Sequence, residues 1–244
     1  MLISPKTYDA VLFDLDGVLT MTMKIHAACW KTMFDDFLKR RAERNGGPFR
    51  PFDVANDYKP YVDGKLRYDG VRSFLASRGI SLPEGTPNDS VDQETICGLG
   101  NRKDRLVNDI IATEGVEVLN GSIEVAHRVR QDGLKTAVVS ASKNCQKILA
   151  AAGIRDLFDC VIDGNVASQL GLPGKPAPDT FLEAARLLDV DPSRAVVVED
   201  AVSGVQAGRA GRFALVIGID HHGDKQALID HGADIVVEDL SEIL

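Results

Sequence analysis

Four places in the chain carry residues able to do chemistry, three of them directly at the end of an apolar run. The first is Phe13-Asp14-Leu15-Asp16-Gly17-Val18-Leu19-Thr20, where two carboxylates stand two residues apart behind an apolar run. Carboxylates at the carboxyl end of a strand face the crevice in which open α/β sheets bind ligands. The glycine behind them permits a tight turn. The second is Val138-Val139-Ser140-Ala141-Ser142, a hydroxyl at the end of another apolar run. With a helix following, Ser140 and the next amides, beginning with Ala141, could cradle an anion. The third, Gly174-Lys175-Pro176-Ala177-Pro178-Asp179, sets a lysine in a proline-stiffened loop. A lysine there could neutralise charge on a transferring phosphoryl group. The fourth, Val196-Val197-Val198-Glu199-Asp200, ends in two adjacent carboxylates. Facing Asp14 and Asp16, they would form a hard oxygen site suited to Mg²⁺. Each fragment by itself has a plainer reading: an acidic turn, a helix N-cap, a solvated lysine. Their order along the chain argues for one site.

The elements that must position these residues are legible as short runs rich in β-branched residues. They cover residues 10–13, 136–139, 160–162, 195–198, 214–219 and 235–237. Each is apolar without alternation, as parallel strands covered on both faces are. Amphipathic stretches of helical length lie between them, at 122–132, 144–152, 178–188, 204–210 and 225–231. Strand alternating with helix predicts a doubly wound parallel α/β sheet of the Rossmann-like kind.

From about residue 24 to 114 this rhythm breaks. Helical patterns cover 26–44, 70–78 and 101–113, separated by turn-rich stretches at 46–48 and 83–87. The simplest account is an α-helical cap, residues 23–114, inserted into an α/β core made of 1–22 and 115–244. No internal repeat or low-complexity tract interrupts either part.

The bulk numbers narrow the partners. The chain has 244 residues, 44% hydrophobic and 26% charged, ordinary for a globular protein with a packed core. Its net charge of −8 and the lack of a basic face disfavour nucleic acid. The cluster Lys39-Arg40-Arg41 with Arg44 is interleaved with Asp35, Asp36 and Glu43, and reads as a solvated helix face. The four cysteines show no metal-ligand spacing, consistent with a reducing compartment. No apolar run reaches membrane-spanning length and no basic leader precedes an apolar core, so a cytoplasmic location without membrane attachment is expected. A monomer is expected.

The succession strand-Asp-x-Asp, strand-Ser, loop-Lys, strand-Glu-Asp resembles the four-motif signature of the haloacid dehalogenase superfamily, and it spans essentially the whole chain. The resemblance implies that Asp14 is the nucleophile, forming an aspartyl phosphate, and that Asp16 is the general acid/base. It implies that Ser140, with Ala141 beside it, and Lys175 hold phosphate. The metal-binding set would be Asp14, the Asp16 carbonyl, Glu199 and Asp200, with Mg²⁺ as cofactor. An inserted helical cap between the first and second motifs resembles one subclass. Within it, Ser140-Ala141-Ser142-Lys143-Asn144, Lys175-Pro176-Ala177-Pro178-Asp179 and His26 resemble the β-phosphoglucomutases. On that resemblance Ser142, Asn144, His26 and Lys103 contact substrate. Thr22 matches the family at the hinge, whereas Met21 stands where many relatives carry an acid. Arg67, in Val62-Asp63-Gly64-Lys65-Leu66-Arg67, resembles the arginine that grips a sugar's distal phosphate; arginine suits a bidentate clamp. The long segment 81–98 fits the smaller mutases poorly.

The expected function is Mg²⁺-dependent phosphoryl transfer on a small phosphorylated sugar. A mutase converting β-D-glucose 1-phosphate to glucose 6-phosphate through a bisphosphate is preferred, because two phosphate grips are present. The alternative is a sugar-phosphate phosphatase, which differs by letting water discharge the same phospho-aspartate. A non-catalytic module that kept the fold is the third reading. It is disfavoured because Asp14 is retained with every partner.

Overall fold

The computed structural model describes residues 2–221 and 223–244; Met1 and His222 lie outside the described residues. In chain order the strands are β1 (Ala10–Phe13), β2 (Lys135–Val139), β3 (Cys160–Ile162), β4 (Ala195–Glu199), β5 (Leu215–Ile219) and β6 (Ile235–Val237). The helices are α1 (Met23–Asn45), α2 (Val54–Tyr61), α3 (Arg67–Ser77), α4 (Ile96–Glu114), α5 (Asn120–Gln131), α6 (Cys145–Ala151), α7 (Gly164–Leu170), α8 (Asp179–Leu187), α9 (Val202–Ala210) and α10 (Lys225–Asp230). The chain divides into two compact units, one of Met1–Met21 with Val116–Leu244 and one of Thr22–Gly115.

The first unit carries the sheet. Its six strands run parallel in the order β3-β2-β1-β4-β5-β6, the α/β class that the apolar runs predict. All four residues of β1 and all five of β4 and of β5 are buried. Helices supply the cover: Phe181, Ala184 and Ala185 of α8 and Val205 and Ala207 of α9 join Leu12, Val139, Val197 and Val216 in one apolar cluster. Parallel strands covered in this way lack the polar alternation of a half-exposed sheet. The register matters for function. Phe13 pairs with Val138 on one side and Val198 on the other, so Asp14 comes level with Val139 and Glu199. Three motifs therefore end at one height on adjacent strands.

The second unit is helical. On α1, Trp30, Met33, Phe34, Phe37 and Leu38 recur at helical spacing and are all buried. They pack with Phe52, with Val71, Phe74 and Leu75 of α3, and with Ile96 and Leu99 of α4. Phe34 is the centre: its ring lies 4.1 Å from that of Phe74 and 5.4 Å from that of Phe52. Burying a side chain of this size stabilises by about 1.5–3 kcal/mol relative to leaving it exposed. Lys39, Arg40 and Arg44 are exposed, and Arg40 pairs with Asp36 one turn back, as a solvated face should.

Two helices were not visible as patterns. In α2 the sequence carries Pro60, which argues against a helix, yet Pro60 sits in the last turn of this short element. Asp53 caps it by accepting the Ala55 amide at 2.9 Å. The seven-residue α7 is likewise started by its cap, Asp163, which accepts from the amides of Asn165 and Val166.

Candidate active site

The first unit gathers its chemistry around Asp14. The Asp14 amide donates to the Val198 carbonyl at 3.0 Å, continuing the ladder one residue beyond β1. The chain then turns sharply: the amides of Leu19 and Thr20 return to the Leu15 carbonyl, both at 2.9 Å. Gly17 makes this turn with φ of +91°, a conformation that side-chain-bearing residues rarely adopt. A Cβ at Gly17 would also overlap the Asp200 carboxylate, so the glycine is what lets the fourth motif approach the first. Asp16 lies in the same turn, where it bridges to Thr20.

Lys175 is the buried cation of this group. Its ammonium donates to Asp14 Oδ1 at 2.5 Å, to the Val139 carbonyl at 3.1 Å, and to Glu199 Oε1. It also lies 5.0 Å from the centre of the Phe181 ring. The Lys175–Pro176 peptide is cis. Burial pulls the lysine's pKa down, but the Asp14 and Glu199 carboxylates outweigh it and hold the ammonium charged well above its ordinary range. Glu199 is itself fixed, because its Oε2 accepts from the amides of Asp200 and Ala201, each at 3.1 Å. Gly204, on α9, leaves room for that carboxylate; a Cβ there would overlap it.

Asp14, Glu199 and Asp200 offer carboxylate oxygens that all lie within 4.8 Å of one another. One ammonium cannot balance three carboxylates in a buried space. Burial, and then repulsion from Glu199 and Asp16, push the Asp14 carboxyl well above its usual range, although Lys175 opposes them. The surplus of negative charge on hard oxygen donors fits a small divalent cation, and the donor set is the kind that holds Mg²⁺ with few carboxylates.

Ser140 follows β2 and is buried. Its Oγ accepts the Ser142 amide at 3.0 Å, and Ser142 Oγ accepts the Asn144 amide at 3.2 Å. Those bonds use the Ser140 oxygen as acceptor and leave its hydrogen to donate. Among the described residues no acceptor takes the backbone amides of Leu15 or Ala141. Hydroxyl and amide donors of this sort are what an oxyanion needs. The Leu15 amide was missed in the sequence because backbone donors carry no side-chain signal. Asn144 is buried at the start of α6, and its side chain makes no cap bond.

In the second unit Thr22 is buried and its carbonyl accepts the His26 amide at 2.9 Å, starting α1. The structure brings His26 and Lys103 together: the Lys103 ammonium donates to His26 Nδ1 at 2.6 Å, which puts the ring proton on Nε2. Lys103 also lies 5.1 Å from the centre of the Trp30 ring. Arg67, at the start of α3, donates from Nη2 to Asp104 Oδ1 at 2.6 Å, a partner the sequence did not suggest.

Comparison with known proteins agrees with the motif order. The profile of the haloacid dehalogenase-like hydrolases matches residues 8–212. The chain is 50% identical over 243 residues to a β-phosphoglucomutase of Mycobacterium bovis, covering 98% of this chain and 93% of that one. It is 27% identical over 245 residues to a validoxylamine A 7′-phosphate phosphatase of Streptomyces hygroscopicus, covering 97% of this chain and 96% of that one. A crystal structure of a β-phosphoglucomutase from Clostridium difficile superposes with a TM-score of 0.74 at 24% identity, covering 97% of this chain and 93% of that one, a likeness of fold. The chain belongs to the haloacid dehalogenase-like hydrolases, and within them to the family of the β-phosphoglucomutases. It is therefore an enzyme of phosphoryl transfer, and no helix among the described residues is long and apolar enough to cross a membrane.

Proposed function

We propose that the enzyme converts β-D-glucose 1-phosphate to glucose 6-phosphate through a sugar bisphosphate, with Asp14 carrying the phosphoryl group. The observation that carries the chemistry is the meeting of buried Asp14, Lys175 and Glu199 with half-buried Asp200. The half-identity with a mutase across the whole chain supports the choice of acceptor.

A carboxylate Oδ of Asp14 attacks phosphorus, and the bond from phosphorus to the sugar oxygen breaks. Asp16 gives its proton to that leaving oxygen. In the return half, a sugar hydroxyl attacks the phospho-aspartate, Asp16 takes the hydroxyl's proton, and the Asp14 carboxylate is released. Two negative groups must meet in each step. Lys175 offsets part of that repulsion from its place between Asp14 and Glu199, while the Ser140 hydroxyl and the Ala141 amide hold the phosphoryl oxygens. When bound by Asp14, the Asp16 carbonyl, Glu199 and Asp200, Mg²⁺ would supply further charge neutralisation on the phosphoryl group. In the helical unit, Arg67 holds the sugar's distal phosphate, and His26, Lys103 and Thr22 serve the sugar. Ser142 and Asn144 contact the substrate from the loop after β2.

A phosphatase would use the same Asp14 chemistry and pass the group to water, and a phosphatase among the relatives keeps that reading in view. The two separate in one incubation with Mg²⁺, β-glucose 1-phosphate and a trace of glucose 1,6-bisphosphate. Glucose 6-phosphate with little free phosphate is the expected result. Dominant free phosphate would replace the mutase reading with hydrolysis.

A further inference from the structure

The distal-phosphate residue is held by a bracket built into α4. Arg67 is largely buried, its side chain 10% exposed, and Asp104 engages one of its amino groups. The next residue, Tyr68, donates its hydroxyl to Asn101 Oδ1 at 2.9 Å. The Asn101 amide in turn donates to the carbonyls of Pro87, at 3.1 Å, and Asp89, at 2.9 Å. Both carbonyls belong to the long turn-rich segment 81–98. Arg102, beside Asn101, donates to a third carbonyl of that segment, Val91, at 2.7 Å.

Two glycines make the arrangement possible. A Cβ at Gly100 would fall 2.6 Å from the Tyr68 ring and 3.2 Å from Arg67 Cδ. A Cβ at Gly98 would overlap the Gln93 carbonyl. The start of α4 thus receives the segment on Gly98 and Asn101, and receives Arg67 and Tyr68 on Gly100, Asn101 and Asp104.

We propose that Gly100, Asn101 and Asp104, with the segment from Ser81 to Gly98 behind them, are positioning residues that fix Arg67 and thereby make the enzyme select substrates by their far phosphate. This rests on the reading of Arg67 as the distal-phosphate residue. A free arginine loses rotamer entropy when it is immobilised. One already held by the Asp104 carboxylate and the Tyr68 hydroxyl loses less on binding and keeps its guanidinium in a set direction.

The readout is the ratio of kcat/KM for β-glucose 1-phosphate to kcat/KM for p-nitrophenyl phosphate, which has no far phosphate to grip. Arg67→Ala, Asp104→Asn and Gly100→Ala should each lower this ratio, the last two about tenfold. Replacing Tyr68 by Ala in the Gly100→Ala background removes the ring that the new methyl meets, and should restore part of the loss. Asp104→Asn keeps shape and volume, so it tests the anchor even where Gly100→Ala folds poorly. A ratio lowered by Arg67→Ala but unmoved by Asp104→Asn and Gly100→Ala would overturn the bracket and leave the reading of Arg67 standing. A ratio unmoved by Arg67→Ala would remove that reading, and the bracket with it.

Discussion

The two units handle buried charge in opposite ways. Around Asp14 the sheet concentrates like charge: three carboxylates gather together, two of them share one ammonium, and backbone amides aim Glu199. In the helical unit opposite or neutral partners meet, Arg67 with Asp104 and Lys103 with His26, on helices packed through an aromatic core. An unbalanced cluster is costly to bury and gains most from a cation and a phosphoryl group. A matched pair is closer to satisfied and holds its side chains in place. On the proposed reading, the reaction belongs to the first unit and recognition to the second.

Four experiments bear on that division. The largest effect is expected for Asp14→Asn, which keeps the shape of the side chain but removes the nucleophile. Turnover should fall on the order of 10⁴-fold or more, with the thermal unfolding midpoint little changed. Substantial residual turnover would take bond formation away from Asp14. Chelation comes next: EDTA should silence both mutase turnover and hydrolysis of small esters, and added Mg²⁺ should restore them and raise the unfolding midpoint. Indifference to chelation would contradict the cation that the three carboxylates call for. Asp16→Ala should cost about 10²- to 10⁴-fold, the usual span for a general acid/base. Normal rates there would end that role. Arg67→Ala should show the smallest effect and the most selective one, impairing turnover of the phosphosugar far more than hydrolysis of a small ester. Equal losses on both substrates would erase the distinction between the units.

Much of the first unit could be read in advance because parallel strands advertise themselves. β1, β3 and β6 occupy the residues their apolar runs mark. The chemistry follows directly, since Asp14 and Glu199 sit at strand ends in sequence as in space. Lys175 is different, for nothing local shows that a loop lysine turns inward to Asp14, 161 residues away; the motif order carries it. The helical unit hides more. Arg67 and Asp104 are 37 residues apart and His26 and Lys103 are 77 apart, on helices whose packing fixes the pairs. Their spacing holds no period to detect. α2 was concealed by Pro60, and its cap at Asp53 was the only local signal. Gly98 and Gly100 lie ahead of the helical pattern read at 101–113, so nothing in the sequence marked their close approach to the Gln93 carbonyl and the Tyr68 ring.

The most direct test follows one phosphoryl group. Glucose 1,6-bisphosphate labelled in its phosphate is mixed with the enzyme and Mg²⁺, the reaction is quenched in acid at short times, and β-glucose 1-phosphate is then added to a parallel sample. The account predicts label on the peptide that contains Asp14, followed by its transfer to sugar phosphate with little released to water. Label that never appears on the protein, or that leaves Asp14 almost wholly as inorganic phosphate, would contradict it.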